Sequence, residues 1–240
     1  MSASQVLVNF VLGVRGAIAV LGLLSGAAAF AAGGGSMGGT SDSAPMTREL
    51  SPQEIARNAY NDGVRAVKQA HRSEEDAANA TKEPKKVKAV ERANKQFDKA
   101  RSYFALAISK QPTMHEAWNY IGYTSRKLGD LDKALVAYGE ALRLKPDYAE
   151  AIEYRGVAFL ALNRLDDAKS AYMSLFRDNR KLAAQLMTEM QLWVTKRREV
   201  GSQNSQQDSQ LDAFAQWINE RASIAQQTAS LAIDAPSLWQ

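Results

Sequence analysis

In a chain of 240 residues with no cysteine and only two histidines, His71 and His115, there are few places for chemistry to begin. That composition excludes thiol catalysis, disulfides and sulfur-ligated zinc, and two histidines are a poor basis for a metal site or a catalytic relay. Carboxylates crowd together at Glu74, Glu75 and Asp76. Three adjacent acids in a polar stretch are expected to be solvated, because nothing around them forecasts the burial that would shift a pKa into a useful range. Serine, histidine and aspartate all occur, but without the GxSxG elbow that would expose a nucleophile. The glycine-rich run GGGSMGG precedes no strand, as a phosphate-cradling loop would require. No catalytic residue, cofactor, metal or small-molecule substrate is expected from these patterns.

Basic residues are the other chemical group that stands out. Lys82, Lys85, Lys86, Lys88, Arg92, Lys95, Lys99 and Arg101 cluster together, and Lys196, Arg197 and Arg198 form a second group. Glu83, Glu91 and Asp98 interrupt the first cluster, no aromatics suited to base stacking accompany it, and the net charge is a mild +4. The pattern speaks against nucleic acid. It reads as a solvated helix face followed by cations near a helix C-terminus, where the helix dipole favours them. An acidic protein or an anionic lipid surface is the alternative contact.

The elements that would position these side chains begin after an unusual leader. In MSASQVLVNFVLGVRGAIAVLGLLSGAAAFAAGGGS, Arg15 is the only charged side chain, and the apolar stretch behind it ends in small residues around Ala29, Ala31 and Ala32. A positive start, an apolar middle and a small-residue exit make residues 1–32 an expected export signal, with an uncleaved membrane anchor as the alternative. Residues 33–50 hold GGGSMGGTSDSAP, which has little to bury and reads as a flexible tether.

From Ser51 onward, apolar residues recur every three or four positions and no alternating strand pattern emerges, so the fold class is all-α. A constant spacing of 34 then organises the helices: Gly122 with Gly156; Ala100, Ala134 and Ala168; Phe104, Tyr138 and Tyr172; Ala107 with Ala141; Pro112 with Pro146. Such a period marks stacked helix pairs. The glycine sits where the second helix crosses the first, the alanine opposite lets the backbones approach, and the proline ends the second helix. Gly129 and Asn163 fall at equivalent turns, which calls for a left-handed backbone.

Trp118, Ile121, Gly122, Ala134, Tyr138, Ala141 and Pro146 together resemble the tetratricopeptide repeat signature, with Ser125 standing where an aromatic is usual. The next copy keeps Gly156, Phe159, Ala168 and Tyr172 but has Ile152, Arg155 and Leu175 at other signature positions and no closing proline. The copy before is split, because Gly63 precedes Ala100 by 37 positions where 12 separate Gly122 from Ala134. The insertion is placed at about 73–86, with Arg72 to Pro84 read as loop and the following helix lengthened back to near Pro84. The expected architecture is a right-handed solenoid of about three repeats over residues 51–180, followed by capping and amphipathic helices over 181–240. Leu182, Leu186, Met190 and Trp193 would face the array in a cap. The polar run GSQNSQQDSQ would separate that cap from a last helix carrying Leu211, Phe214, Trp217 or Ile218, and Ile224, expected to fold back.

Tetratricopeptide arrays hold extended peptides or partner helices on the concave face built by the first helix of each pair. The resemblance places Tyr60, Val64, Asn119, Tyr123, Arg126, Lys127, Glu153 and Val157 on or near that face. Tyr120, Tyr123, Tyr138, Tyr154 and Tyr172 read as packing between helices and not as a ligand cage. Of the cations and amides that grip chaperone tails in some members of the family, only Asn119 and Arg126 are present. The implied function is a non-catalytic protein-protein interaction adaptor of the bacterial envelope, located in the periplasm. The alternative is an architectural component, anchored in the inner membrane and facing the periplasm, that oligomerises through its C-terminal helices.

Overall fold

The computed structural model of the protein describes residues 49–201 and 205–234, and all the regular structure among them is α-helical. The expected leader and most of the tether lie outside the described residues. The helices are α1 (Pro52–Asn79), α2 (Glu83–Lys110), α3 (His115–Lys127), α4 (Leu131–Leu144), α5 (Ala149–Ala161), α6 (Leu165–Asp178), α7 (Arg180–Val200) and α8 (Ser205–Asp234). Helix α1 pairs with α2, α3 with α4 and α5 with α6, and each second helix also leans on the first helix of the next pair. That serial order is the all-α repeat solenoid expected from the period of 34.

The glycines account for how close the pairs come. A Cβ at Gly122 would lie 2.6 Å from ring carbons of Tyr138, and one at Gly63 would lie 2.6 Å from the Phe104 ring. The aromatic of the second helix thus lies on the bare backbone of the first. Fully buried Ala100 and Ala134 belong to the same crossings. The turns also follow the sequence: Gly129 has φ 84° and Asn163 has φ 58°. In each, the residue after it donates its N–H to a carbonyl five residues back, Asp130 to Ser125 at 2.9 Å and Arg164 to Phe159 at 2.8 Å, so the helix end keeps its carbonyls satisfied.

The third pair departs from the pattern. A Cβ at Gly156 would meet Leu186 of α7 at 2.8 Å, not Tyr172. Tyr172 turns instead to Phe176 and to Trp217 of α8, with ring centroids 5.6 and 5.5 Å away. Helix α7 covers the open end with Ala183, Leu186, Met190 and Trp193 buried, and α8 folds back on α7 through buried Phe214 and Ile218.

Two boundaries correct the sequence reading. Arg72 to Asn79 are helical, so the supposed loop shrinks to Ala80–Lys82, while α2 starts at Glu83 as expected. Small residues explain the difference: Ala66, Ala70 and Ala77 of α1 and Ala89 and Ala93 of α2 are buried, which lets two long antiparallel helices zip together past the rest of the stack. A capping box secures the other end of α1, where Ser51 Oγ accepts from the Glu54 N–H at 3.2 Å and the Ser51 N–H donates to Glu54 at 2.9 Å. Likewise Ser205 to Gln210, read as a polar interruption, belong to α8.

Two alanine substitutions test the crossing. Gly122→Ala should destabilise the protein by about 1–3 kcal/mol because the Tyr138 ring must move. Gly139→Ala, in α4 with nothing within 4 Å of the added Cβ, should stabilise it by about 0.5–1 kcal/mol through the gain in helix propensity. Urea denaturation of both variants reads out the opposite signs.

Candidate functional site

The first helices α1, α3 and α5 carry the eight residues expected on the concave face. The structure does not leave them open. Tyr60 and Val64 are partly buried, whereas Asn119, Tyr123, Arg126, Lys127, Glu153 and Val157 are buried. The reason is the lengthened α1, whose His71 and Glu74 reach Tyr123 and Lys127 at the C-terminal end of α3, and α7, which packs on α5.

At that end a chain of polar contacts runs inward. The Tyr123 hydroxyl lies 3.0 Å from His71 Nε2, His71 Nδ1 lies 3.0 Å from Glu74, and Glu74 forms an ion pair with the Lys127 ammonium. Lys127 also lies over the Phe97 ring at 5.3 Å, and the Arg126 guanidinium lies over Tyr123 at 5.4 Å. Arg126, Lys127 and Glu153 are only 9%, 6% and 7% exposed. Burying the two cations is tolerable because acidic groups face them: Glu74 from α1, Glu153 from α5 beside Arg126, and Glu189 from α7, which senses both Arg126 and Lys127.

The titration behaviour follows from this. Burial pushes the Lys127 ammonium below the ordinary lysine value, with Glu74 opposing. Burial would raise Glu74, but the His71 hydrogen bond and Lys127 outweigh it and hold the carboxyl low. Glu153 goes the other way: burial pushes it up to about 8 against the pull of Arg126, with Glu189 and Glu150 adding to the rise. Glu189 is raised by burial as well.

The N-terminal halves of the same helices form a second patch. Tyr60 packs edge-on against Phe104 and Tyr120, at 5.7 and 5.8 Å between ring centroids, and Tyr120 stacks on Phe104 at 4.7 Å. Tyr154 lies 5.2 Å from Tyr123, and Tyr148, just before α5, meets His115 edge-on at 4.8 Å. Tyr60, Tyr120, Tyr148 and Tyr154 are all partly exposed. Burial raises each of their pKa values, and Glu116 or Glu150 adds to the rise for Tyr60, Tyr120 and Tyr148. Glu116, Tyr148 and Glu150 were not singled out in the sequence. The signal was available, since Glu116 and Glu150 are spaced by the repeat length, as are Tyr120 and Tyr154.

The basic cluster on α2 is exposed from Lys82 to Lys88, and Arg92 reaches across the hairpin to Asp76 at 3.1 Å. Among the described residues no group of histidine and carboxylate side chains could hold a metal ion, and no helix is long and apolar enough to cross a membrane.

Residues 122–163 match the family model of the TPR repeat. The match spans the second helix pair and the start of the third, where the glycine-aromatic crossing at Gly122 is found. No curated protein matches the chain. One similar solved structure, described as "First TPR of Spaghetti (RPAP3) bound to HSP90 peptide SRMEEVD", is 15% identical, covers 55% of this chain and 94% of its own, and has a TM-score of 0.39.

The raised Glu153 carboxyl gives a pH prediction. Its folded value of about 8 lies above the ordinary 4.5, so the protonated form is favoured in the fold. The stabilisation is complete below pH 4.5 and is lost as pH rises through about 8. Glu153→Gln cannot ionise, so thermal melting between pH 5 and pH 9 should show a smaller fall in Tm for the variant than for the wild type. Parallel curves would mean that Glu153 does not titrate in this range.

Proposed function

We propose that the chain is a protein-protein interaction adaptor that holds an extended segment of a partner on the inner face of its repeat array, and that it does so as an exported protein of the bacterial envelope. One observation carries the adaptor reading. The paired helices are stacked in series, and such a ribbon presents a row of first helices as a continuous inner surface.

The place of recognition shifts towards the N-terminal halves of α1, α3 and α5. Arg126, Lys127 and Glu153, expected to meet a partner, already face charges from α1 and α7, whereas Tyr60, Tyr120, Tyr148 and Tyr154 are partly exposed. A partner that needs free cations, such as an acidic tail, finds them occupied. The envelope location rests on the leader sequence alone.

Two measurements test this. A photo-crosslinking side chain at Tyr148 should capture a partner in living cells, and one at Val136, 67% exposed on the outer side of α4, should not. Equal capture from both positions, or capture from Val136 alone, removes the inner face as the binding surface. Mass spectrometry of the mature protein should show a start near Ala32 or Gly33, and an intact Met1 would replace export by anchoring.

A further inference from the structure

The inner face is chemically lopsided, and the imbalance points to a kind of partner. We propose that Tyr60, Asn119, Tyr120 and Tyr148, flanked by Glu116 and Glu150, form a receptor for basic side chains, arginine above all, carried by an extended peptide. The proposal rests on the adaptor reading above and adds the partner's chemistry.

The patch holds one buried acceptor without a partner and several hydroxyls that can accept. Asn119 is 3% exposed, and its amide lies beside the Tyr148 hydroxyl, yet its carbonyl oxygen accepts no hydrogen bond. A buried acceptor left unpaired costs about 1–3 kcal/mol, so a donor brought by a ligand would be held there. The rings of Tyr60 and Tyr120 are packed against each other and against Phe104, which leaves their hydroxyls as what they offer, while Tyr148 keeps a ring face that takes a cation. A guanidinium, with five N–H donors and no acceptor, suits such a surface better than any other side chain.

The charges agree. Glu116 and Glu150 hold the same position in consecutive repeats, and both raise the pKa values of the tyrosines beside them. Two basic residues lie close by: the His115 ring nitrogen is 3.3 Å from Glu116, and the Lys145 ammonium lies over the Tyr148 ring at 5.3 Å. Packed helices are about 8–10 Å apart, and an extended chain advances about 3.3 Å per residue. Two carboxylates one repeat apart therefore suit basic residues roughly three positions apart.

The test uses the full chain and three capped hexapeptides, Ala-Arg-Ala-Ala-Arg-Ala and its glutamine and glutamate counterparts. Tyrosine ring signals are followed by NMR in protein labelled at tyrosine. The arginine peptide should shift the Tyr60, Tyr120 and Tyr148 signals saturably, and the other two should not. Removing both charges, Glu116→Gln with Glu150→Gln, should weaken arginine-peptide binding by roughly tenfold without altering thermal stability. Equal response to the glutamine or glutamate peptide, or unchanged affinity in the double variant, overturns the proposal. If crosslinking from Tyr148 captures a partner while the arginine peptide fails, the basic-ligand chemistry is wrong and the adaptor reading stands. If both fail, both fall.

Discussion

There is no room for a Cβ between the paired helices of this protein, and the rest of the structure depends on that closeness. Where the backbone of the first helix is bare, as at Gly63 and Gly122, the aromatic of the second helix lies on it. This contact sets the separation and angle of each pair, and with them the direction in which the next pair must stack. A steric rule repeated every 34 residues thereby determines which side of each first helix faces inward. The inner face follows from that packing.

The same rule shows how the array ends. At Gly156 the space against the bare backbone is filled by Leu186 of α7, and Tyr172 is released to pack with Phe176 and Trp217. A repeat whose aromatic is no longer needed at its own crossing can use it to hold the cap, which is a physical reason for the degraded signature of the third copy. The apolar end that any stack of helix pairs exposes is covered here by α7 and then α8, with Leu186, Met190, Phe214 and Ile218 buried.

How much of this was legible in the sequence varies with the range of the interaction. Gly122, Tyr138 and Pro146 fix a helix pair through contacts within one repeat, so spacing alone reveals them, and Gly129 and Asn163 betray their turns because few residues accept that backbone. The helix of Arg72 to Asn79 was hidden because its polar side chains look like a loop, and only the alanine stripe shared with α2 makes it helical. The burial of Arg126, Lys127 and Glu153 was hidden for a deeper reason. The groups that cover them, His71, Glu74 and Glu189, come from helices outside the recognisable repeat, and no periodicity links them to α3. Glu116 and Glu150 were visible at the repeat spacing, but a charge at a helix start is usually read as a response to the helix dipole, and that reading conceals a second role.

The lengthened hairpin therefore changes recognition as well as shape. An array of this type would present Arg126 and Lys127 to a ligand, and two cations on one inner face would favour an acidic guest. Here α1 reaches past the end of α3 and supplies Glu74, which pairs with Lys127, while Glu189 of α7 and Glu153 of α5 act on Arg126. Removing positive potential from the middle of the groove leaves its other half under the influence of Glu116 and Glu150, on a surface of tyrosine hydroxyls and a buried amide. Selectivity then arises as much from the ligand's lost attraction to the paired cations as from new contacts, because an acidic segment would have to displace Glu74 or Glu189 from a partly dry site before gaining anything. A basic segment meets no such competitor. On the proposed reading, the extra length of α1, which adds nothing to the repeat itself, sets the sign of the charge that the inner face accepts.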